Sequence, residues 1–180
     1  PSKRDNPYSN SGMVVTVDEA DFAKYGFTGP LAAMEYQQMV ERNAWNAGGG
    51  KLVAPAQRVA DFTARKASRD LPKCSYLPGV TPGLMHEVLP IEVAQSLAAG
   101  IVTFGKKMKG YHTNEALVVA TESRTSSPVR IPRDKETLMH TQIKGLFPCA
   151  EGAGYAGGII SAAMDGDNCA AASVTYLQTK

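Results

Sequence analysis

The chain has 180 residues, of which 43% are hydrophobic and 20% are charged, and its formal net charge is +2. This length is enough to bury a core in one domain or in two small lobes. The weak basic excess excludes a strongly basic surface for nucleic acid or a membrane, and the sequence has no apolar run of about 18 residues that would span a bilayer.

The first half of the chain predicts one strand and one clear helix. Met13–Val17 is rich in β-branched residues and favours a strand. Leu31–Ala47 has apolar residues at helical spacing, and Gly48 is placed to end that helix. Leu52–Phe62 is ambiguous, although Pro55 is suited to opening a short helix there.

The middle of the chain alternates irregularly between loops, helices and strands. Pro72–Gly83 contains several prolines and glycines and predicts an extended loop, whereas Met85–Phe104 predicts a helix broken around Pro90. Ala116–Thr121 and Val129–Pro132 are further strand candidates. Strands and helices without regular alternation indicate an α+β fold with a mixed sheet and several helices.

Gly145–Gly166 predicts a strand, a glycine-rich turn and a helix. The turn concentrates glycines at a cost in backbone entropy, which suggests that something must approach the bare backbone. The first amides of the following helix have no internal partner, so they can hold an anion or an electron-rich ring edge. A connection with only a packing role remains an open alternative, but Glu151, just before the glycines, favours a ligand site.

Three segments carry a resemblance to a known group of proteins. Gly145–Gly166 resembles the C-terminal flavin-binding motif of FAD-dependent oxidoreductases with a two-part dinucleotide fold. Glu122–Ile131 and Leu77–Pro82 are also similar to segments of that group, in the same order. The similarity extends from about Ser11 onward, and the chain closely resembles uncharacterised FAD-dependent dehydrogenases related to BaiN-type flavoproteins.

The resemblance implies a cofactor site at the glycine-rich turn. Amides of Gly157, Gly158 and Ile159 would face the pyrimidine end of the flavin, where negative charge gathers on hydride uptake. Glu151 would accept hydrogen bonds from ribityl or ribose hydroxyls, although a helix-capping role is the alternative. The full set of expected FAD-binding residues is Glu151, Gly152, Ala153, Gly154, Gly157, Gly158 and Ile159.

A second polar segment is expected to contact the substrate or the flavin edge. Its members are Arg124, Thr125, Ser126, Ser127 and Arg130. Two guanidinium groups with three hydroxyls suit a carboxylate or a flavin edge. From composition alone this segment is a polar link, and only the resemblance implies a role at the flavin. No catalytic residue is predicted.

The N-terminal ADP-binding fingerprint is missing, because the GxGxxG run at Gly152–Gly157 lies near the end of the chain and no other GxGxxG follows an earlier predicted strand. Together with the opening Pro1–Arg4, which lacks Met, this predicts a C-terminal fragment of an FAD/NAD(P)-binding α/β flavoprotein. We expect residues 1–140 to form a substrate-facing or interface region and 141–180 the C-terminal part of the FAD-binding domain. The expected partner is the N-terminal dinucleotide-binding portion of the same protein, without which FAD binds weakly or not at all.

Two other functions remain open. One is a non-catalytic protein-interaction domain with flavoprotein-like topology. The weaker one is a nucleotide or phosphate binder that uses the glycine turn, although the turn lacks the Lys and Ser/Thr of a P-loop.

The cysteines and histidines predict no metal site. Cys74, Cys149 and Cys169 are odd in number and lack metal-type spacing, which favours reduced thiols in a cytoplasmic protein. We expect Cys149, in the predicted strand, and Cys169, in the predicted helix, to be buried and to pack as small hydrophobic residues. A redox role for Cys149 beside a flavin stays open. The three histidines are scattered, and surface or capping roles are expected for His86, His112 and His140.

Overall fold

Six helices and three short strands form the secondary structure of residues 5–179, the part of the chain that this computed structural model describes. The opening Pro1–Arg4 lies outside the described residues. In chain order the elements are α1 (Glu19–Lys24), α2 (Ala32–Ala47), β1 (Ala54–Arg58), α3 (Val59–Thr63), β2 (Val80–Pro82), α4 (Met85–Val88), α5 (Ile91–Lys107), β3 (Leu117–Val119) and α6 (Ile159–Gln178).

The three strands form one mixed sheet in the order β2-β1-β3. The central strand β1 pairs in parallel with β2, with Ala54 opposite Val80, and antiparallel with β3, with Ala56 opposite Val119. The first four residues of β1 are buried and Arg58 is half-buried. This sheet and the surrounding helices confirm the α+β class.

The chain divides into two compact units. The first contains the residues up to Val17 together with Gln38–Thr121, and so holds the sheet and α3 to α5. The second contains Asp18–Gln37 and the residues from Glu122 onward, including α1 and α6. The division falls within α2 and at residue 121, so the predicted boundary after residue 140 lies inside the second unit.

The core of the first unit is built around β1 and the two short helices α3 and α4. Phe62 and Met85 are fully buried there. Gln57, also fully buried, is satisfied on both sides of its amide: Nε2 donates to the Lys66 carbonyl at 2.6 Å, and Oε1 accepts from the Met85 amide at 2.9 Å. A buried amide with both functions bonded fixes β1 against α4 without an unpaired polar group.

Several element predictions are confirmed. Helix α2 ends at Ala47 before Gly48, the helical region after Met85 breaks at Pro90 into α4 and α5, and the strand near Ala116 exists as β3. Helix α6 begins after Gly158, as the glycine motif predicts.

Three predicted strands are wrong. Met13–Val17, Val129–Pro132 and Gly145–Ala150 are not strands. Strand propensity reflects packing against a paired neighbour, and β-branched or apolar content cannot supply that neighbour. Pro55 does not open a helix either: it lies in β1, where its carbonyl accepts the Ala120 amide at 3.1 Å. The predicted loop before Gly83 is correct except that its end pairs as β2.

None of the helices within residues 5–179 combines the length and the apolar character that crossing a bilayer requires.

Candidate functional site

A pocket of about 230 Å³ lies in the second unit, where the glycine-rich turn meets the polar segment before it. The two segments predicted to form a site therefore come together. The pocket is lined by Ser126, Ser127, Glu151, Gly154, Tyr155, Ala156 and Gly157. The other predicted site residues lie in the same two segments but outside this lining. They are Gly152, Ala153, Gly158, Ile159, Arg124, Thr125 and Arg130.

The glycines of the turn serve two different purposes. Gly154 has φ +81°, and a Cβ there would lie 2.6 Å from the Val129 carbonyl oxygen, so the chain's own packing requires glycine. Gly157 is different, because the nearest atom to a Cβ built there is the Thr125 carbonyl oxygen at 3.9 Å. Gly152 has nothing within 4 Å. The bare backbone at Gly157 therefore leaves open space beside the pocket.

The N-terminus of α6 lies next to this turn. Gly158 is its N-cap, and the Gly158 amide donates to the Ser161 hydroxyl at 3.1 Å, which satisfies one of the three predicted donors locally. Ile159 is 90% exposed. As the first residues of a helix, Ile159 and Ile160 have amides without a partner inside the helix. These amides, with the helix dipole, give this end a partial positive charge.

Arg124 and Glu151 form an ion pair across the two segments. Arg124 Nη2 lies 4.0 Å from Glu151 Oε1, and both side chains are about half exposed. A pair of this exposure leaves both groups free to exchange partners. Ser127 is less free, since its hydroxyl donates to the Val129 carbonyl at 2.8 Å.

Ala153, one of the residues expected to bind FAD, has a structural role in the turn. Ala153 is 4% exposed, and its carbonyl accepts the Ile131 amide at 3.1 Å, which ties the turn to the polar segment.

A mostly buried ion pair, absent from the predicted site, lies beside the turn. Arg133 donates to both carboxylate oxygens of Asp165, at 2.6 and 3.0 Å, and to the Pro148 carbonyl at 2.8 Å. Its guanidinium carbon also lies 3.6 Å from the centre of the Tyr155 ring. Arg130 lies 4.3 Å from the same ring centre. Tyr155, which lines the pocket, is thus fixed by cation–π contacts.

The electrostatics of this pair follow from its hydrogen bonds. The Arg133 guanidinium holds the pKa of Asp165 below its usual value of 3.8, and the Ala150 amide adds to the effect at 2.8 Å. Asp165 in turn raises the pKa of Arg133. The two residues stand 32 positions apart, so no local spacing connects them. The sequence does not distinguish Asp165 from Asp167, the other carboxylate of α6, which is exposed.

Cys149, Asp165 and Cys169 bring their potential ligand atoms within 4.8 Å of one another. A metal ion there would need the carboxylate that Arg133 already binds, and Arg133 Nη1 also donates to Cys169 Sγ at 3.3 Å. The Arg133 guanidinium therefore already supplies the positive charge that a metal ion would bring to these three residues. Cys169 is buried as predicted, whereas Cys149 is half-buried in a loop instead of lying in a strand.

The histidines have separate environments. His140 Nδ1 accepts the amides of Gln142 and Ile143 at 3.0 Å, which stabilises a turn in a segment without a helix. His112 Nε2 contacts the Thr63 hydroxyl at 2.8 Å. His86 is half-buried: it packs 4.9 Å from the Phe62 ring centre, and burial lowers its pKa.

Comparison with known proteins places this chain in a family. Residues 1–125 match the sequence pattern of the FAD-dependent protein, C-terminal domain-like family. The chain belongs to this family. It is also 43% identical over 165 residues to an uncharacterized protein of Clostridium beijerinckii, an alignment that covers 91% of the chain and 30% of that relative. The chain thus spans about 30% of the length of that relative.

The family match includes Leu77–Pro82, Arg124 and Thr125, but it ends before the glycine-rich turn. Membership in this FAD-dependent family therefore rests mainly on the first unit. The alignment with the Clostridium protein is longer than the family match, so it continues into the second unit.

Proposed function

We propose that this chain is the C-terminal part of an FAD-dependent oxidoreductase related to BaiN-type dehydrogenases, and that its turn pocket holds one edge of FAD. The observation that carries the proposal is the pocket itself. Two segments far apart in sequence meet at the N-terminus of α6. Gly157 lines this pocket, and the packing of the chain itself does not require a glycine there.

The residues present fit part of FAD rather than all of it. A volume of about 230 Å³ lies below the roughly 300–1,000 Å³ typical of complete small-molecule sites. The lining offers hydroxyls from Ser126 and Ser127 and a carboxylate from Glu151, with helix amides beside it. These groups suit the hydroxyl-rich chain and the polar ring edge of a flavin. No groups suited to a whole dinucleotide converge here.

When bound, FAD supplies hydride transfer to or from a small organic substrate. In this proposal the amides of Gly157 and Ile159 place partial positive charge where negative charge develops. Glu151 accepts hydrogen bonds from hydroxyls and thereby orients the cofactor. Arg124 and Arg130 hold the flavin edge or a substrate carboxylate through charge-assisted hydrogen bonds.

The proposed partner is an N-terminal dinucleotide-binding portion of the same protein. The exposed apolar side chains of α6 support it. Five of them are at least 53% exposed: Ile159, Ile160, Met164, Val174 and Leu177. A helix with this much exposed apolar surface is typical of one that another part of a protein covers. The three free cysteines support a cytoplasmic location.

The test uses the full-length product of the gene that encodes this chain. Gly157→Leu places a side chain in the open space beside the pocket, and Gly12→Leu is the matched control because it also has open surroundings. We expect Gly157→Leu to weaken FAD binding by about tenfold or more, equivalent to about 1.4 kcal/mol, and Gly12→Leu to leave it unchanged. Equal FAD affinity in both variants would overturn the proposed pocket.

A further inference from the structure

We propose that Cys149 and Cys169 form an oxidisable thiol pair that a hydroperoxide converts into a disulfide. This inference concerns the second unit alone and does not depend on the proposed flavin site. The two sulfur atoms lie within 4.8 Å of each other. A disulfide has an S–S length of about 2.05 Å, so a small side-chain movement closes the gap.

The packing of Cys149 places its sulfur against the helix that carries Cys169. A Cβ built on Gly166 would lie 4.0 Å from Cys149 Sγ, so Cys149 rests against α6 where the helix has no side chain. Gly166 and Cys169 are three residues apart and share one face of α6. Cys149 therefore faces the stretch of helix that carries its partner.

The two thiols differ in the way a stepwise oxidation requires. Cys149 is half-buried and accessible to a small oxidant, whereas Cys169 is buried at 5% exposure. Burial, followed by the hydrogen bond with Cys149, raises the pKa of the Cys169 thiol. Cys149 is thus the attacking thiol and Cys169 the one that resolves the intermediate.

The chemistry balances with one hydroperoxide molecule. The Cys149 thiolate attacks one peroxide oxygen; an S–O bond forms and the O–O bond breaks. The other oxygen leaves and is protonated, to water from hydrogen peroxide or to an alcohol from an organic hydroperoxide. Cys169 sulfur then attacks the sulfenic sulfur, an S–S bond forms, and the oxygen leaves as water with the Cys169 proton. Two thiols lose two electrons, which the peroxide accepts.

The site of oxidation is two residues from Glu151, which lines the pocket. Between them, Ala150 has φ +57° and donates its amide to Asp165. A disulfide to α6 therefore constrains the segment that carries Glu151.

The test is peptide mapping of the whole chain after mild hydrogen peroxide and alkylation. Trypsin has no cleavage site between Cys149 and Cys169, since residues 145–179 contain no Lys or Arg. A protease that cuts after Glu151 separates them, so a disulfide joins two peptides. We expect to detect these two peptides linked by a disulfide. Their combined mass should be lower by two hydrogens than that of the two reduced peptides, and a thiol reductant should separate them.

Three comparisons decide the result. Cys74→Ser should leave the linked pair unchanged, whereas Cys169→Ser should abolish it and leave a sulfenic acid at Cys149 that a dimedone probe captures. In wild type unfolded in urea, preference for this pair over pairs with Cys74 should fall by about tenfold or more, because the fold no longer holds the thiols together. If the wild-type folded chain gives no 149–169 link, or links Cys74 equally well, the proposal is wrong.

Discussion

The tightest polar arrangement in the second unit is centred on Arg133. Its side chain is 9% exposed and that of Asp165 is 15% exposed, whereas Arg124 and Glu151 are 47% and 49% exposed. The Arg133–Asp165 pair holds the glycine turn in place through Tyr155 and the Pro148 carbonyl. The exposed pair stays available to a ligand. The two ion pairs thus have different consequences when they are broken.

Removing Arg133 should destabilise the chain. Arg133→Ala leaves the mostly buried Asp165 carboxylate without its cation, which costs about 2 kcal/mol. Arg124→Ala, the matched control, should cost about 0.5 kcal/mol or less because that pair is exposed. Urea denaturation followed by circular dichroism measures both. Similar losses in the two variants would contradict the structural role given to Arg133.

The same pair predicts a pH dependence of stability. Hydrogen bonding to Arg133 lowers the folded-state pKa of Asp165, so its contribution is complete above the unfolded-state pKa near 3.9 and is lost as the pH falls through the lower folded value. Between about pH 5 and pH 2, the free energy of unfolding should fall more steeply in wild type than in Asp165→Asn. Parallel curves for the two proteins would show that Asp165 does not titrate in this way.

At the level of elements, the glycine turn and α6 act together. The turn is held by packing at Gly154 and by the Ala153 carbonyl, while the helix after it presents free amides and an exposed apolar surface. The predicted strand before the turn is not needed for this geometry. Loop residues bonded to Asp165 take its place.

The glycines of the turn should respond differently to alanine. Gly154→Ala adds a Cβ to a residue with positive φ and 2.6 Å from a backbone oxygen, so we expect a loss of about 2 kcal/mol or more. Gly152→Ala meets nothing within 4 Å and should change stability by no more than about 0.5 kcal/mol. Thermal unfolding of the two variants distinguishes these costs. A Gly154→Ala variant as stable as wild type would show that the turn relaxes to accommodate the added methyl group.

Across the whole molecule, sequence patterns predicted what depends on local chemistry. Helices α2 and α6, the break at Pro90 and the meeting of the glycine turn with Arg124–Arg130 follow from spacing, glycine placement and family resemblance. The Arg133–Asp165 pair and the proximity of Cys149 to Cys169 depend on contacts between distant residues, which no local pattern encodes. The three wrong strands share that cause, since pairing partners are set by the tertiary fold.

In our proposal, this chain supplies one part of an FAD site that another part of the same protein completes. Equilibrium FAD binding, followed by flavin absorbance and fluorescence, tests it for this chain and for the full-length gene product side by side. We expect the full-length protein to hold about one FAD per chain and this chain to bind about 1,000-fold more weakly, a difference of about 4 kcal/mol. A tight, spectrally shifted complex with this chain alone, or no FAD binding by the full-length protein, would contradict the account.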